Sequence, residues 1–278
     1  MISVIIPAFR AEATLKRAVL SLVGQTLSDW EAVIVSDDGV EYRGLLASQG
    51  LSDPRLTFTS TGGTGTGCHN ARNFGLPLAI GDYVTQLDAD DQFATSRFAD
   101  LLPLAEQYGA AADNLLMIHE ETELPIGTTI GKMSQVLHLT LADFMKLNAP
   151  LVPLIRKDHV LPRVIGVEFS EDVIANIQLI DRIGTVAVTN TSSYIYRIRQ
   201  GSVANSEGSN YKFERGYTDY ITRLEIGDGF GLSSDNRLVA RDGLIAKREL
   251  NRAYIDAVKT NIGLSFFEFS QNWKLLNS

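Results

Sequence analysis

The hydrophobic pattern of the first half of the chain switches repeatedly between two kinds of run. Ile2 to Ile6 is almost continuously apolar and is closed by Pro7, the mark of a strand covered on both faces. Glu12 to Val23 instead places Leu15, Ala18, Val19 and Leu22 at helical spacing, and Gly24 ends the pattern. Trp30 to Val35 predicts a second buried strand. Arg55 to Ser60 predicts a third, with Leu56 and Phe58 alternating against Thr57 and Thr59. A helix over Cys68 to Ile80, a strand over Tyr83 to Leu87, a helix over Ser96 to Gln107 and a short strand over Asn114 to Ile118 follow. Strands alternating with helices in this way predict an α/β fold, a mostly parallel doubly wound sheet flanked by helices.

The second half is less regular. Glu120 to Gln135 is polar and contains glycine, which predicts a loop; Leu139 to Leu147 predicts a helix and Leu151 to Ile155 a strand. Glu168-Phe169-Ser170-Glu171-Asp172 opens a helix carrying Val173, Ile174, Ile177 and Ile180, with Ser170 as its N-cap. Thr185 to Val188 and Ser193 to Ile198 predict two strands. From about Asn205 the chain turns to charged amphipathic helices, Tyr217 to Ile226 and Asn236 to Asn261, ending in an aromatic-rich run from Leu264 to Phe269. The pattern divides the chain into residues 1–204, a sheet domain, and residues 205–278, a C-terminal helical extension. That extension would pack on the sheet, with a homodimer contact or a peripheral membrane contact as the other uses of its surface.

Composition narrows the function classes. With 45% hydrophobic residues and a formal net charge of −8 over 278 residues, the chain suits a globular protein and disfavours nucleic acid as a broad partner. Cys68 is the one cysteine, which excludes an internal disulfide and a cysteine-based zinc site. No apolar run reaches the roughly 20 residues of a membrane-spanning helix, and the N-terminal run lacks the basic leader of a signal peptide. The expected address is the cytoplasm.

Candidate chemistry gathers at strand ends. Tyr83 to Leu87 runs into Asp88-Ala89-Asp90-Asp91, and Trp30 to Val35 runs into Ser36-Asp37-Asp38-Gly39. Like charges this close repel, so a cation is implied; Asp88 and Asp90 are hard oxygen ligands suited to Mn²⁺ or Mg²⁺. The competing reading of the triplet is an acidic turn that caps the next helix. Ligands of open parallel sheets bind outside the carboxyl ends of strands, so both acidic pairs could line one crevice. Arg72 would face that crevice and meet an anionic ligand. Gly62-Gly63-Thr64-Gly65-Thr66-Gly67 lacks the spacing and position of a dinucleotide fingerprint, which leaves a mobile loop. Glu171 and Asp172 stand where a helix dipole alone would favour carboxylates.

Together these stretches resemble the family 2 glycosyltransferases of the GT-A fold. The matching segments are Val4-Ile5-Ile6-Pro7-Ala8-Phe9 with Glu12, Gln25-Thr26, Trp30-Glu31, Val35-Ser36-Asp37-Asp38-Gly39, Ala71-Arg72-Asn73-Phe74-Gly75, Gly81-Asp82-Tyr83, Leu87-Asp88-Ala89-Asp90-Asp91, Glu171-Asp172 and Tyr196 to Ser202. They run in family order over roughly the first 200 residues. The resemblance implies a metal-dependent inverting enzyme that moves one sugar from a UDP-sugar to an acceptor hydroxyl, in cell-surface polysaccharide or glycoconjugate synthesis. It implies that Pro7, Ala8, Phe9, Glu12 and Asp38 hold the nucleobase, that Arg72 and Arg199 contact the nucleotide sugar, that Asp88 and Asp90 serve donor and metal, and that Asp172 is the catalytic base. Arg10 and Arg199 depart from the usual Asn and His. The Gln-x-x-Arg-Trp motif of processive synthases is missing, which favours single-sugar transfer. The rival readings are a noncatalytic sugar-nucleotide-binding protein on the same fold and a nicotinamide dehydrogenase built on the Gly62 to Gly67 loop.

Overall fold

The computed structural model describes residues 1–131, 133–147, 151–167, 169–191, 194–198 and 209–260, together with 264, 266, 269, 270 and 273. In chain order the elements are β1 (Ile2–Ala8), α1 (Leu15–Val23), β2 (Trp30–Ser36), α2 (Tyr42–Ser48), β3 (Leu56–Ser60), α3 (Cys68–Gly75), β4 (Tyr83–Gln86), β5 (Gln92–Phe93), α4 (Arg97–Tyr108), β6 (Ala110–Asp113), β7 (Leu116–His119), β8 (Pro125–Thr128), β9 (Leu137–Leu139), α5 (Leu141–Met145), β10 (Leu154–Arg156), α6 (Glu171–Ile183), β11 (Val186–Thr189), β12 (Tyr194–Ile198), α7 (Ser209–Ile226) and α8 (Ser234–Thr260).

Among the described residues, the main sheet runs β3-β2-β1-β4-β10-β6-β11-β9, and a smaller sheet runs β5-β12-β7-β8. β1, β2, β3 and β4 are mutually parallel, as are β6 and β11, whereas β10 and β9 are antiparallel to their neighbours. Parallel strands need crossovers, and α1, α2 and α3 supply them. β1 continues through Pro7 to Ala8. This is tolerated because the pairing of β1 with β4 ends at Ile5 opposite Gln86, so Pro7 lies past the last partner on that side.

The predicted strand over Asn114 to Ile118 is β7 of the smaller sheet, and β6 of the main sheet, which the pattern does not predict, ends just before it. β6 is an alanine run whose small side chains lack the apolar signature of a strand, and Asn114 marks the crossing from one sheet to the other. The Asn114 side chain holds the turn after β8: its Oδ1 accepts from the Ile130 N–H at 3.0 Å and its Nδ2 donates to the Gly131 carbonyl at 2.6 Å. The predicted loop after Glu120 carries β8. α2 went unforeseen because it spans seven residues, and its start is set by Glu41, whose side chain accepts from the Gly44 N–H.

Three buried clusters hold the fold. Ile2, Val4, Ile6, Leu15, Val19, Ile34, Leu87, Phe98 and Leu101 fill one face of the main sheet under α1, α2 and α4. Ile5, Val33, Val35, Ala71 and Val84 fill the opposite face under α3. The third joins β6, β9 and β11 to α5, α6, α7 and α8 through Ile174, Ile177, Val188, Tyr220, Leu224 and Leu244. α7 and α8 therefore share apolar surface with α6, the helix that begins at Glu171. Among the described residues no helix is long and apolar enough to cross a membrane.

Candidate functional site

β1, β2 and β4 all deliver their carboxyl ends to one edge of the sheet, where the two acidic pairs emerge. The acids of each pair diverge. Asp37 is buried, and its carboxylate accepts from the hydroxyls of Thr61 at 2.8 Å and Thr66 at 2.6 Å and from the Gly67 N–H at 3.0 Å. It anchors the glycine-rich loop, which is thus held by side-chain bonds at its ends. Asp38 is half-buried. Its Oδ1 accepts from Ser36 Oγ and Val40 N, both at 3.1 Å, and its Oδ2 from Arg10 N at 2.5 Å and Tyr42 Oη at 2.8 Å. Burial opposes the charged form of Asp38, but these four donors outweigh it and hold the carboxyl below the ordinary range. All its lone-pair directions already have protein partners, so a nucleobase N–H would have to share one.

Pro7 and Ala8 end β1 at the same edge, and Phe9 follows with 43% of its surface exposed. The Arg10 guanidinium lies 5.1 Å from the Phe9 ring centre, and Arg10 itself has φ +52, a region where Asn is more comfortable than Arg. Glu12 is exposed on the loop to α1.

The acidic turn after β4 is held from behind. Asp91 is buried; its Oδ2 accepts from Tyr194 Oη at 2.8 Å and its Oδ1 from Arg197 N at 2.9 Å. It is a structural tie between the turn and β12, not the exposed first acid of a helix. Burial first, and then the charges of Asp88 and Asp90, push its carboxyl well above the usual range. Arg17 on α1 donates to the Asp90 carbonyl at 2.9 Å. The Asp88 side chain is 42% exposed, and its Oδ1 accepts from Arg72 Nη2 at 2.5 Å.

Arg72 is buried on α3 and joins the two acidic regions. Its other terminal nitrogen pairs with Glu171, whose second oxygen lies 3.5 Å from Arg163 Nε. The sequence placed Arg72 toward a ligand; in the structure its side chain pairs with Asp88 and Glu171. Glu171 is held below the ordinary range because Arg72 and Arg163 overcome the burial that opposes its charge. Asp172 beside it is half-buried and pushed up to about 6, by burial first and then by Glu171. Ser170 does occupy the N-cap position, but with φ 56 and ψ 36 and without a side-chain cap. Arg199 lies outside the described residues.

The acid pair Glu171-Asp172 thus meets the Asp88 turn through one guanidinium, although 83 positions separate Asp88 from Glu171 by difference of their numbers. Sequence reasoning missed Glu120, Arg163 and Tyr194. No motif marks them, because each acts through partners remote in the chain.

The donor set can be tested against a divalent ion. Among the described residues no group of three His, Cys, Asp or Glu side chains forms a ready cage. The residues fit an ion that takes most of its ligands from phosphate and water: Asp88 and Asp90 offer carboxylates at one turn, and after burial their charges raise the buried Asp91 carboxyl, so negative charge gathers there.

Comparison with known proteins agrees with this architecture. Residues 3–136 match the family model described as Glycosyl transferase family 2. The succinoglycan biosynthesis protein ExoO of Rhizobium meliloti (strain 1021) is 25% identical over 222 residues, which cover 73% of this chain and 62% of that protein. The UDP-Glc:alpha-D-GlcNAc-diphosphoundecaprenol beta-1,3-glucosyltransferase WfgD of Escherichia coli is 31% identical over 91 residues, 33% of this chain and 35% of WfgD. The chain spans less than two thirds of the length of these curated relatives. The crystal structure of S. aureus TarS 1-349 in complex with UDP-GlcNAc superposes with a TM-score of 0.68 at 15% identity, covering 90% of this chain and 72% of that one. The fold is GT-A, as the resemblance implied.

Proposed function

We propose that this chain, whose residues 3–136 are of the family 2 glycosyltransferase type, transfers a single sugar from a UDP-sugar to an acceptor hydroxyl with inversion, in polysaccharide or glycoconjugate synthesis. The observation that supports the reading is the Asp88–Arg72–Glu171 bridge, which ties the acidic turn after β4 to the neighbour of Asp172, a carboxyl pushed up to about 6. UDP-Glc in the name of WfgD and UDP-GlcNAc in the TarS complex support a UDP-linked donor.

In this reading Pro7, Ala8, Phe9, Glu12 and Asp38 surround the nucleobase, and Arg199 would contact the nucleotide sugar. Asp172 takes the proton of the acceptor hydroxyl as the new C–O bond forms and the bond from the anomeric carbon to UDP breaks, the electron pair leaving with UDP. Asp88 and Asp90 would hold Mn²⁺ or Mg²⁺, which as a Lewis acid offsets charge on the departing diphosphate. Residues 205–278 form the acceptor-side extension. The address remains cytoplasmic in this proposal.

Thermal-shift measurements with UDP, with and without Mn²⁺, test it, since a ligand held at 100 times its Kd stabilises the native state by about 2.7 kcal/mol. Stabilisation by UDP only with Mn²⁺, lost in Asp90→Ala, is expected. No shift with any UDP compound would defeat the reading. UDP binding without transfer or slow donor hydrolysis would leave the noncatalytic binding protein instead, and stabilisation by NADH would revive the dehydrogenase.

A further inference from the structure

The run into α6 and the first turns of α7 bring three aromatic rings together beside Asp172. Phe169 stands three residues ahead of Asp172, and its ring meets that of Phe213 edge-on at 5.5 Å and 70°. Phe213 lies nearly parallel to Tyr217, 6.5 Å away at 26°, one turn along α7. α7 passes Phe169 at Gly216, where a Cβ would stand 3.7 Å from Phe169 Cβ and 3.9 Å from its carbonyl oxygen, ordinary van der Waals contact. None of the three rings is sealed in the core, and each keeps part of its surface in solvent. The Lys212 Nζ lies over the Phe169 ring, 5.4 Å from its centre. Asp172 reaches this row electrostatically: burial, and then the Asp172 charge, hold the Tyr217 phenol above its ordinary range.

Partly exposed aromatic faces next to a proton acceptor have a chemical preference. A pyranose ring has one face made largely of C–H groups and a periphery of hydroxyls. The electron-rich face of an aromatic ring attracts those C–H groups as it attracts the edge of another ring, while the hydroxyls stay hydrated or meet polar groups at the margin. Partly exposed aromatic rings near a carboxylate therefore suit a sugar better than an extended peptide.

We propose that Phe169, Phe213 and Tyr217 form the acceptor subsite and that the acceptor is a saccharide, its C–H face laid on this row with a hydroxyl turned to Asp172. This rests on the glycosyltransferase reading above. It also gives α7 a role in the reaction.

Saturation-transfer NMR on the full chain, with cellotetraose, maltotetraose and chitotetraose as probes, tests the row. Wild-type protein should transfer saturation to ring C–H protons of at least one tetrasaccharide. Phe213→Leu and Tyr217→Leu should each weaken that binding about two- to tenfold, the range an aromatic contact contributes. Phe169→Leu gives an independent third variant should one of these fail to fold, which melting curves would reveal. Saccharide binding equal in the folded variants and the wild type overturns the proposal, as does binding of none of the three by wild type. Titration with UDP and Mn²⁺ on the same samples separates the two claims. If UDP does not bind, the donor reading falls while the saccharide signal still decides the row.

Discussion

Arg72 and Glu171, 99 positions apart in sequence, meet as a buried ion pair under the crevice. The same guanidinium donates to Asp88, so one side chain on α3 balances carboxylates on two sides of the candidate site.

Breaking that pair should be costly. Arg72→Met would leave Glu171 buried beside Asp172 with Arg163 as its one remaining arginine partner, and removing one partner of a buried pair costs roughly 3–5 kcal/mol. Urea unfolding should show this as a lower midpoint with an unchanged slope. A midpoint equal to wild type would mean that water or a shifted Arg163 replaces Arg72 without loss.

Asp172 should link activity and stability with opposite signs. Its carboxyl is raised from an ordinary 3.8 to about 6 in the folded chain. The native state therefore holds its proton more tightly than the unfolded state, so this stabilising contribution is complete below about pH 4 and is lost as pH rises through about 6. Transfer needs the deprotonated form, so its rate should climb through the same window. Asp172→Asn should remove transfer, a loss of about 10²–10⁴ in rate, yet leave UDP binding intact. At pH 8 it should also be more stable than wild type, by up to about 3 kcal/mol. Normal turnover by this variant would refute the base assignment.

Glu120 should matter more than its place after β7 suggests. Its carboxylate accepts from Arg17 at 2.7 and 3.1 Å and from Arg197 at 3.2 Å, and those two residues also hold the Asp90 carbonyl and the Asp91 carboxylate. Burial opposes its charge, but the two arginines win and lower its pKa. That stabilisation is present above the ordinary carboxylate range and fades as pH falls through the lowered value. Glu120→Gln should cost about 1.5–3 kcal/mol, the range for hydrogen bonds to charged groups, and weaken Mn²⁺-dependent UDP binding. Amide exchange at residues 88–92 should quicken in parallel. Wild-type exchange there would show that the turn stands without this brace.

The acids were legible before any coordinates because carboxylates crowded at strand ends are locally unfavourable and so advertise a ligand or a partner. What each acid does was not legible. Asp37 and Asp38 are neighbours in the chain, yet one clamps the glycine-rich loop and the other gathers the turn after β1. Asp91 looked like a capping acid and is a buried tie to Tyr194. Arg72 reads as a ligand contact, and only the structure shows that it bridges two carboxylates.

The sequence by itself determined the alternation of strands and helices, the parallel half of the sheet and the family likeness, because periodic burial and strand-end motifs are local properties that a short window carries. Tertiary structure alone decided which carboxylates are neutralised, which stay exposed, and that α7 sets an aromatic row beside Asp172. Burial and charge compensation depend on side chains that meet from distant parts of the chain, and no spacing along it encodes their distances.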